Sequence, residues 1–303
     1  MNLTQLARKN LLKPYGSLDV LLYYALVAPK LKKFLRGKEI AAKNWIPNYR
    51  PLLKRGSDFK PLFIEDLIKA ITPDFLELRK GHLDEARKGG KLSAKQELVW
   101  QYFVPRKLSD FFYATNNETP GKPIERIFFD LDKGEGIKQY QARQAALEFV
   151  RAIKDDGDFA LKHDLCACWT GSSFHVFLLL KKPMPASEYA KTVQYSEKNP
   201  LATFTGKWAA AVQKQVKFKV AGGHEKKNGF IIFDPSQTPS GKLCRSPFSL
   251  HMKDAFTIDG VDVPLSEKDL QDPVLCKELS ALTPEKVLKN LGKHASKFPA
   301  RFK

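Results

Sequence analysis

Two aspartates one residue apart, Asp130 and Asp132, close the run Arg126-Ile127-Phe128-Phe129-Asp130-Leu131-Asp132-Lys133. Apolar residues lead into them, and Lys133-Gly134-Glu135-Gly136 turns the chain away. On a β-strand, alternate side chains face opposite ways, so Phe128, Asp130 and Asp132 share one face and Ile127, Phe129 and Leu131 the other. The two Asp Cβ atoms then stand roughly 6.5–7 Å apart, two strand rises. Carboxylates set this way can converge on hard divalent cations such as Mg²⁺ or Mn²⁺. Buried without a partner they repel, so a cation or solvent must relieve them. Taken alone, the pair fits an ordinary exposed strand end as well, and that is the commoner case.

Two further constellations bear on the choice. In Thr170-Gly171-Ser172-Ser173-Phe174-His175-Val176-Phe177, an extended backbone points Ser173 and His175 the same way. A hydroxyl and an imidazole, beside a glycine that lets the backbone approach a ligand, suit phosphate oxygens. A lone histidine on an apolar strand is more often a core residue with a satisfied hydrogen bond. The third constellation starts at Phe233-Asp234, an apolar run ending in an acid as at Asp130, and continues through Lys242-Leu243-Cys244-Arg245-Ser246-Pro247-Phe248-Ser249-Leu250-His251-Met252-Lys253. Arg245, Ser249, His251 and Lys253 fall on one parity of an extended segment and form a row of donors that fits a triphosphate. Lys242 is a further, weaker candidate.

The elements that must position these residues follow from periodicity. Residues 1–100 read as helical and basic: Leu18, Leu21, Leu22, Ala25 and Leu26 recur at helical spacing up to Pro29, and a second helix is expected over 62–71. A loop at 116–123 feeds the carboxylate strand. A helix over 140–154, strands over 165–169 and 174–180, a helical stretch over 187–217 broken near Pro200, and a strand over 230–233 follow. After a turn-rich loop, a short strand starts at Lys242. This order predicts an α/β (α+β) fold with a mixed sheet. The expected domains are a basic helical portion, 1–100, packed on a catalytic core, 101–265, and a Lys-rich helical tail, 266–303, on the outside.

Composition narrows the partners. Against 33 acidic residues stand 51 lysines and arginines, a formal charge of +18 in 303 residues. Such an excess attracts polyanions, nucleic acid first among them. Four cysteines in so long a chain make no disulfide framework, and without a CxxC pair no zinc is expected. The longest apolar run, 20–28, is too short to span a bilayer, so no membrane partner is expected and a cytoplasmic, nucleoid-associated location is. His82, His163, His224 and His294 show no partners in sequence and are expected in solvated or core roles. Gly222-Gly223-His224 could also form a turn near the third acid.

Taken in order, these motifs resemble the archaeo-eukaryotic primase superfamily, particularly the catalytic small subunit of archaeal DNA primase. Asp130/Asp132 match its acid-x-acid motif, Ser173/His175 its Ser-x-His motif and Asp234 its third acid. Residues 245–253 match its Arg-x-Pro-x-Ser-Leu-His-x-Lys run most closely. The resemblance covers roughly residues 100–265 and implies a primase-type core with an RRM-like portion. It also implies a template-dependent nucleotidyltransferase, a DNA primase or primase-polymerase, joining NTPs or dNTPs on a DNA template and primer. Asp130, Asp132 and Asp234 would hold two Mg²⁺ or Mn²⁺ ions, while Ser173, His175, Lys242, Arg245, Ser249, His251 and Lys253 would bind the nucleotide. Phe128 and Phe248 are candidates to stack on its base or ribose, although core packing is the commoner role for a residue placed as Phe128 is. A primase large subunit is a further implied partner. Two departures matter. Ser172-Ser173 stand where the family usually has an Arg and a second Gly, and no zinc knuckle lies between the first two motifs. They leave open an end-joining or repair polymerase of the same superfamily, or a catalytically decayed nucleic-acid-binding subunit.

Overall fold

The computed structural model describes residue 3 and residues 20–78 and 83–303; Leu18 and His82 lie outside them. The carboxylate run forms β4 in the middle of a larger sheet, and its alternation explains why. β4 (Ile124–Lys133) buries both faces, with only Asp130, Asp132, Lys133 and Glu125 reaching solvent to any extent. β-strands are numbered in chain order: β1 (Ile40–Trp45), β2 (Leu52–Lys54), β3 (Leu108–Ala114), β4, β5 (His163–Trp169), β6 (Phe174–Met184), β7 (Lys219–Gly222), β8 (Phe230–Asp234), β9 (Leu243–Arg245), β10 (Leu250–Met252), β11 (Ile258–Val261) and β12 (Val263–Leu265).

The larger sheet has six strands in the order β12-β5-β6-β4-β8-β7, all antiparallel pairs except the parallel β7·β8. Within it, β4–helix–β5–β6–helix–β8 gives the spatial order β5-β6-β4-β8, the arrangement of an RRM-type sheet. Ile127, Phe129 and Leu131 point to the face covered by the helices Gln139–Asp155 and Phe204–Gln215. Phe149 of the first helix lies 4.9 Å from Phe129 and 4.3 Å from Phe233, and Trp208 of the second lies 6.0 Å from Phe129. Each such buried aromatic stabilises by about 1.5–3 kcal/mol relative to exposure, so this layer fixes the back of β4 and β8. The first helix earns its place by pattern: Ala142, Ala145, Ala146, Phe149, Val150 and Ile153 form one buried stripe.

The opposite face looks toward a second sheet, β2-β1-β3-β9, and the hairpin β10-β11. The N-terminal portion is thus helical, at Val20–Leu31, Ile64–Ala70, Pro73–Leu78, Leu83–Lys88 and Ala94–Tyr102, but it also supplies β1 and β2. Two alanines in Ile40-Ala41-Ala42-Lys43 weaken the strand signal; pairing with β3 over six residues sets it. The helix Val20–Leu31 is apolar all round because it is buried all round, and it runs two residues past Pro29. Its Tyr24 hydroxyl donates to the Ser109 carbonyl at 2.6 Å and accepts from the Leu250 N–H at 3.2 Å, tying the helix to β3 and β10. No helix among the described residues is long and apolar enough to cross a membrane.

The C-terminal tail is helical, as its pattern predicts, and its end packs inward. Phe298 is buried and stacks on Phe34 at 5.1 Å, and Arg301 donates to the Leu179 and Leu180 carbonyls of β6. All four cysteines are buried and unpaired.

Candidate active site

Register across the larger sheet decides which side chains meet. Cys168 of β5 faces His175 of β6, His175 faces Asp130 of β4, and Asp130 faces Asp234 of β8. Directly opposed residues have Cβ atoms about 4.5–5.5 Å apart, so the row is contiguous on one face. Asp132, two residues along β4, joins it from the same face. Three acids separated by up to 104 positions in the chain are therefore neighbours, with Asp130 between the other two. Burial, then the charges of Asp132 and Asp234, push the Asp130 carboxyl up to about 8. Burial and Asp234 also raise Asp132. Arg245 and Lys226 pull Asp130 the other way, and Lys226 acts on Asp132 as well.

Asp234 is held from its own side of the site. Its Oδ1 accepts from the Ser236 N–H at 2.8 Å and lies 3.0 Å from His224 Nδ1, and its Oδ2 accepts from the Ser236 hydroxyl at 2.9 Å. His224 thus has a partner at the site, reached because β7 runs parallel to β8 and Gly222-Gly223 turns the chain toward Asp234. Gly222 is required there: a Cβ would stand 2.5 Å from the Tyr195 ring.

Above the acids lie the cationic residues. His175 is buried, with Nε2 3.7 Å from Asp130 Oδ1. Burial, then Arg245 and His251, hold its imidazole well below the usual histidine range. Arg245 donates from Nη1 to Asp110 Oδ1 at 3.1 Å and to the Leu250 carbonyl at 3.0 Å, and its guanidinium lies 5.1 Å from the Phe112 ring centre. Asp110 is itself 1% exposed and also accepts from the Trp45 indole at 3.0 Å and the Met252 N–H at 3.1 Å. His251 packs on the Ser-x-His loop. A Cβ on Gly171 would stand 2.9 Å from His251 Cβ, and one on Gly260 would stand 2.6 Å from Gly171 Cα. The glycine therefore serves a protein-to-protein approach, where the sequence suggested a ligand.

Three hard carboxylates on adjacent strands, repelling one another, are the chemical complement of a hard divalent cation. Among the described residues, no three of the His, Cys, Asp or Glu side chains converge tightly enough to enclose an ion as they stand. The donor set fits Mg²⁺ or Mn²⁺.

No family model matches the chain. Its sequence is 24% identical over 288 residues to the multifunctional non-homologous end joining protein LigD of Mycolicibacterium smegmatis (strain ATCC 700084 / mc(2)155), a match covering 91% of this chain and 32% of that protein. The chain spans about a third of the length of that relative. Among solved structures, the polymerase domain from Mycobacterium tuberculosis ligase D in complex with DNA matches with a TM-score of 0.56 at 18% identity, covering 93% of this chain and 90% of that one. The chain thus resembles LigD distantly in sequence and shares the fold of the ligase D polymerase domain.

Several residues of this LigD-like core stand elsewhere than their sequence parity suggests. The segment 245–253 is not one strand: β9 joins the smaller sheet, β10 pairs with β11, and Ser246-Pro247-Phe248 turns between them with Phe248 at φ +63°. The turn inverts the parity, so Ser249 is fully buried; its hydroxyl accepts from the Phe111 N–H at 2.8 Å and donates to the Leu250 carbonyl at 2.8 Å. Ser173 likewise donates to the Leu131 carbonyl, the peptide between the two β4 acids. Both serines position backbone. Phe248 is buried 6.0 Å from Phe298, and Phe128 is buried 4.8 Å from His175, so neither ring is free to stack on a base. Lys242 and Lys253 are exposed at the two ends of the segment. Asp110 and Asp262, discussed below, carry no local signal in sequence: each matters through residues more than 80 positions away.

Proposed function

We propose that the chain is a DNA-directed nucleotidyltransferase that extends a primer strand on a template. The observation that carries this is the Asp130–Asp234 pairing across β4 and β8, with Asp132 alongside and Arg245, His175 and His251 above. The relative's role in non-homologous end joining and the DNA in the solved neighbour favour filling gaps at broken ends over starting primers afresh.

Asp130, Asp132 and Asp234 would hold two divalent ions; when bound, these activate the primer 3′-hydroxyl and neutralise charge developing on the triphosphate. The chain's own residues do the rest. Arg245 has guanidinium N–H groups beyond those of Nη1, which are spent on Asp110 and the Leu250 carbonyl, in a fixed plane suited to phosphate oxygens. His175 and His251, whose imidazoles burial holds below the usual histidine range, offer ring N–H donors to the same anion. Ser173 and the Phe149–Phe233 layer keep β4 and β8 from yielding to the repulsion between their acids. The net charge of +18 attracts the template backbone, with an affinity that falls steeply as salt rises.

The test is incorporation of labelled dNTPs and NTPs on three substrates: a primed template, a gap with a 5′-phosphate, and an unprimed single strand, each with Mg²⁺ and with Mn²⁺. The gapped substrate is expected to be extended best. Asp130→Ala is expected to abolish extension while the protein stays folded. Undiminished extension by that variant would overturn the metal-site assignment, and de novo dinucleotide synthesis would turn the reading toward a primase.

A further inference from the structure

The most deeply buried acid among the described residues lies behind the site rather than in it. Asp262 sits in Val261-Asp262-Val263, where the chain leaves β11 and enters β12, and is 0% exposed. Its backbone is clamped on both sides: its N–H donates to the Ser249 carbonyl at 2.8 Å, and its carbonyl accepts from the Phe248 N–H at 2.9 Å. These two bonds hold the turn at Phe248 in its left-handed conformation, φ +63°. Yet no N–H or O–H among the described residues bonds either carboxyl oxygen, the Cys168 thiol offering only a weak donor, and His175 Nδ1 has no partner. The two orphans face each other at 3.5 Å, Asp262 Oδ2 to His175 Nδ1. Leaving either group unsatisfied is costly, and a small rotation of one ring joins them.

We propose that Asp262 is a positioning residue for the nucleotide site: by bonding His175 Nδ1 it fixes the imidazole so that an Nε2–H faces the pocket above Asp130.

The geometry leaves little choice of hydrogen. Nε2 faces Asp130 Oδ1 at 3.7 Å, and once that acid is ionised, by a bound cation or by a pH above about 8, it accepts an N–H and repels a lone pair. A pair so deeply buried resists carrying net charge. With a hydrogen on Nε2 and no net charge, the hydrogen between Nδ1 and Asp262 belongs to the carboxyl, which donates to a bare Nδ1. That is the arrangement in which burial holds Asp262 well above the usual carboxylate range and His175 well below the usual imidazole range. The Cys168 thiol and the Tyr23 hydroxyl are the other polar side chains that act on Asp262 from its buried side. The inference rests on the nucleotidyltransferase reading for what the Nε2–H would bind, but not for where that hydrogen is.

Two measurements test it. The first is the ¹⁵N spectrum of His175 in the nucleotide-free protein at a pH above about 8, where Asp130 is ionised, assigned by its loss in His175→Gln. A single Nε2–H tautomer is expected in the wild type and in Asp262→Asn, whose amide can donate to Nδ1 in the same way, and a mixed or Nδ1–H form in Asp262→Leu. A wild-type ring in the Nδ1–H form would overturn the proposal whether or not any variant folds. The second is the affinity for dATP and for ATP with Mn²⁺ in the absence of DNA. Groups that fix an imidazole's tautomer are worth about 10–100-fold, so Asp262→Leu is expected to weaken binding about tenfold or more, with Asp262→Asn within about threefold of wild type. The double variant with His175→Gln is expected to be no weaker than the worse single, and a melting temperature that stays level or rises would separate positioning from mere support. Wild-type binding by Asp262→Leu, or full additivity with His175→Gln, would sink it. Nucleotide binding that ignores Asp130→Ala and His175→Gln alike would instead defeat the nucleotidyltransferase reading and leave the tautomer result standing.

Discussion

Asp110 in the smaller sheet and Asp130 in the larger one are both carboxylates on strands flanked by phenylalanines, and they are treated in opposite ways. Asp110 accepts hydrogen bonds from Arg245, the Trp45 indole and the Met252 N–H, and it closes a network. Asp130 has His175 Nε2 at 3.7 Å, beyond hydrogen-bond length, and two further acids on its own face. One sheet satisfies its acid and the other leaves its acid unsatisfied. Unsatisfied polar groups of this kind persist where a ligand completes them, so the contrast marks the functional side of the cleft.

The contrast can be broken outright by two substitutions. Asp130→Asn is expected to lower nucleotide incorporation by about a thousandfold or more, the scale of losing a group that stabilises charge in the transition state. It is expected to leave the metal-free protein as stable as wild type, or more so, because it removes a like charge. Asp110→Ala should do the reverse in kind: stability falls by about 3–5 kcal/mol, as when one partner of a buried ion pair is removed. Urea denaturation read alongside single-turnover incorporation separates the two. A destabilised Asp130→Asn together with a stable Asp110→Ala would erase the distinction.

How much of this was open to inspection in the sequence follows the same divide. The acids of β4 and β8 and the Ser-x-His pair were legible because strand alternation and apolar flanks are local signals, as was the stripe of the helix Gln139–Asp155. Arg245 and His251 were legible as residues, though not as a row. The turn at Phe248, with φ +63°, is set by the main-chain bonds of Asp262 and cannot be read from Ser-Pro-Phe-Ser. It moves Ser249 from the nucleotide side to the Phe111 backbone. Asp110 and Asp262 were illegible for one physical reason: each is defined by what it meets across the fold, Arg245 and His175 respectively, whereas His224 could be read as part of a turn near the third acid but not as the partner of Asp234. β1 was missed because its alanines form strands only when β3 is beside them.

A smaller effect sharpens the comparison through pH. Asp130 has a raised carboxyl in the folded chain, about 8, against about 3.9 when unfolded. Between those values the native state keeps a proton that the unfolded state has lost, so metal-free stability declines as pH rises through that window. Asp130→Asn should flatten the decline. Added Mn²⁺ should raise the melting temperature of the wild type more at the upper end of the window than at the lower, and should do little for the variant. A wild-type melting curve indifferent to Mn²⁺ at every pH would mean that the acids do not act as a cation site.

The smallest effect comes from a region with no part in the cleft, and its sign is opposite. His294, 8% exposed in the C-terminal tail, is held at about 4 by burial and then by Lys297 and Lys293. Unfolded, the same imidazole titrates near about 6.5. Between these values the unfolded chain binds a proton that the native tail refuses, so stability falls on acidification through that window, by on the order of 1 kcal/mol. The His294→Gln variant should lose that acid-side slope and keep the alkaline-side slope of Asp130, while Asp130→Asn should do the converse. The two slopes come from a base and an acid that burial strips of their charge, and only the acid has neighbours that a metal could reconcile. Addition of Mn²⁺ should therefore abolish one slope and leave the other untouched; loss of both together would show that the tail and the cleft unfold as one titrating unit.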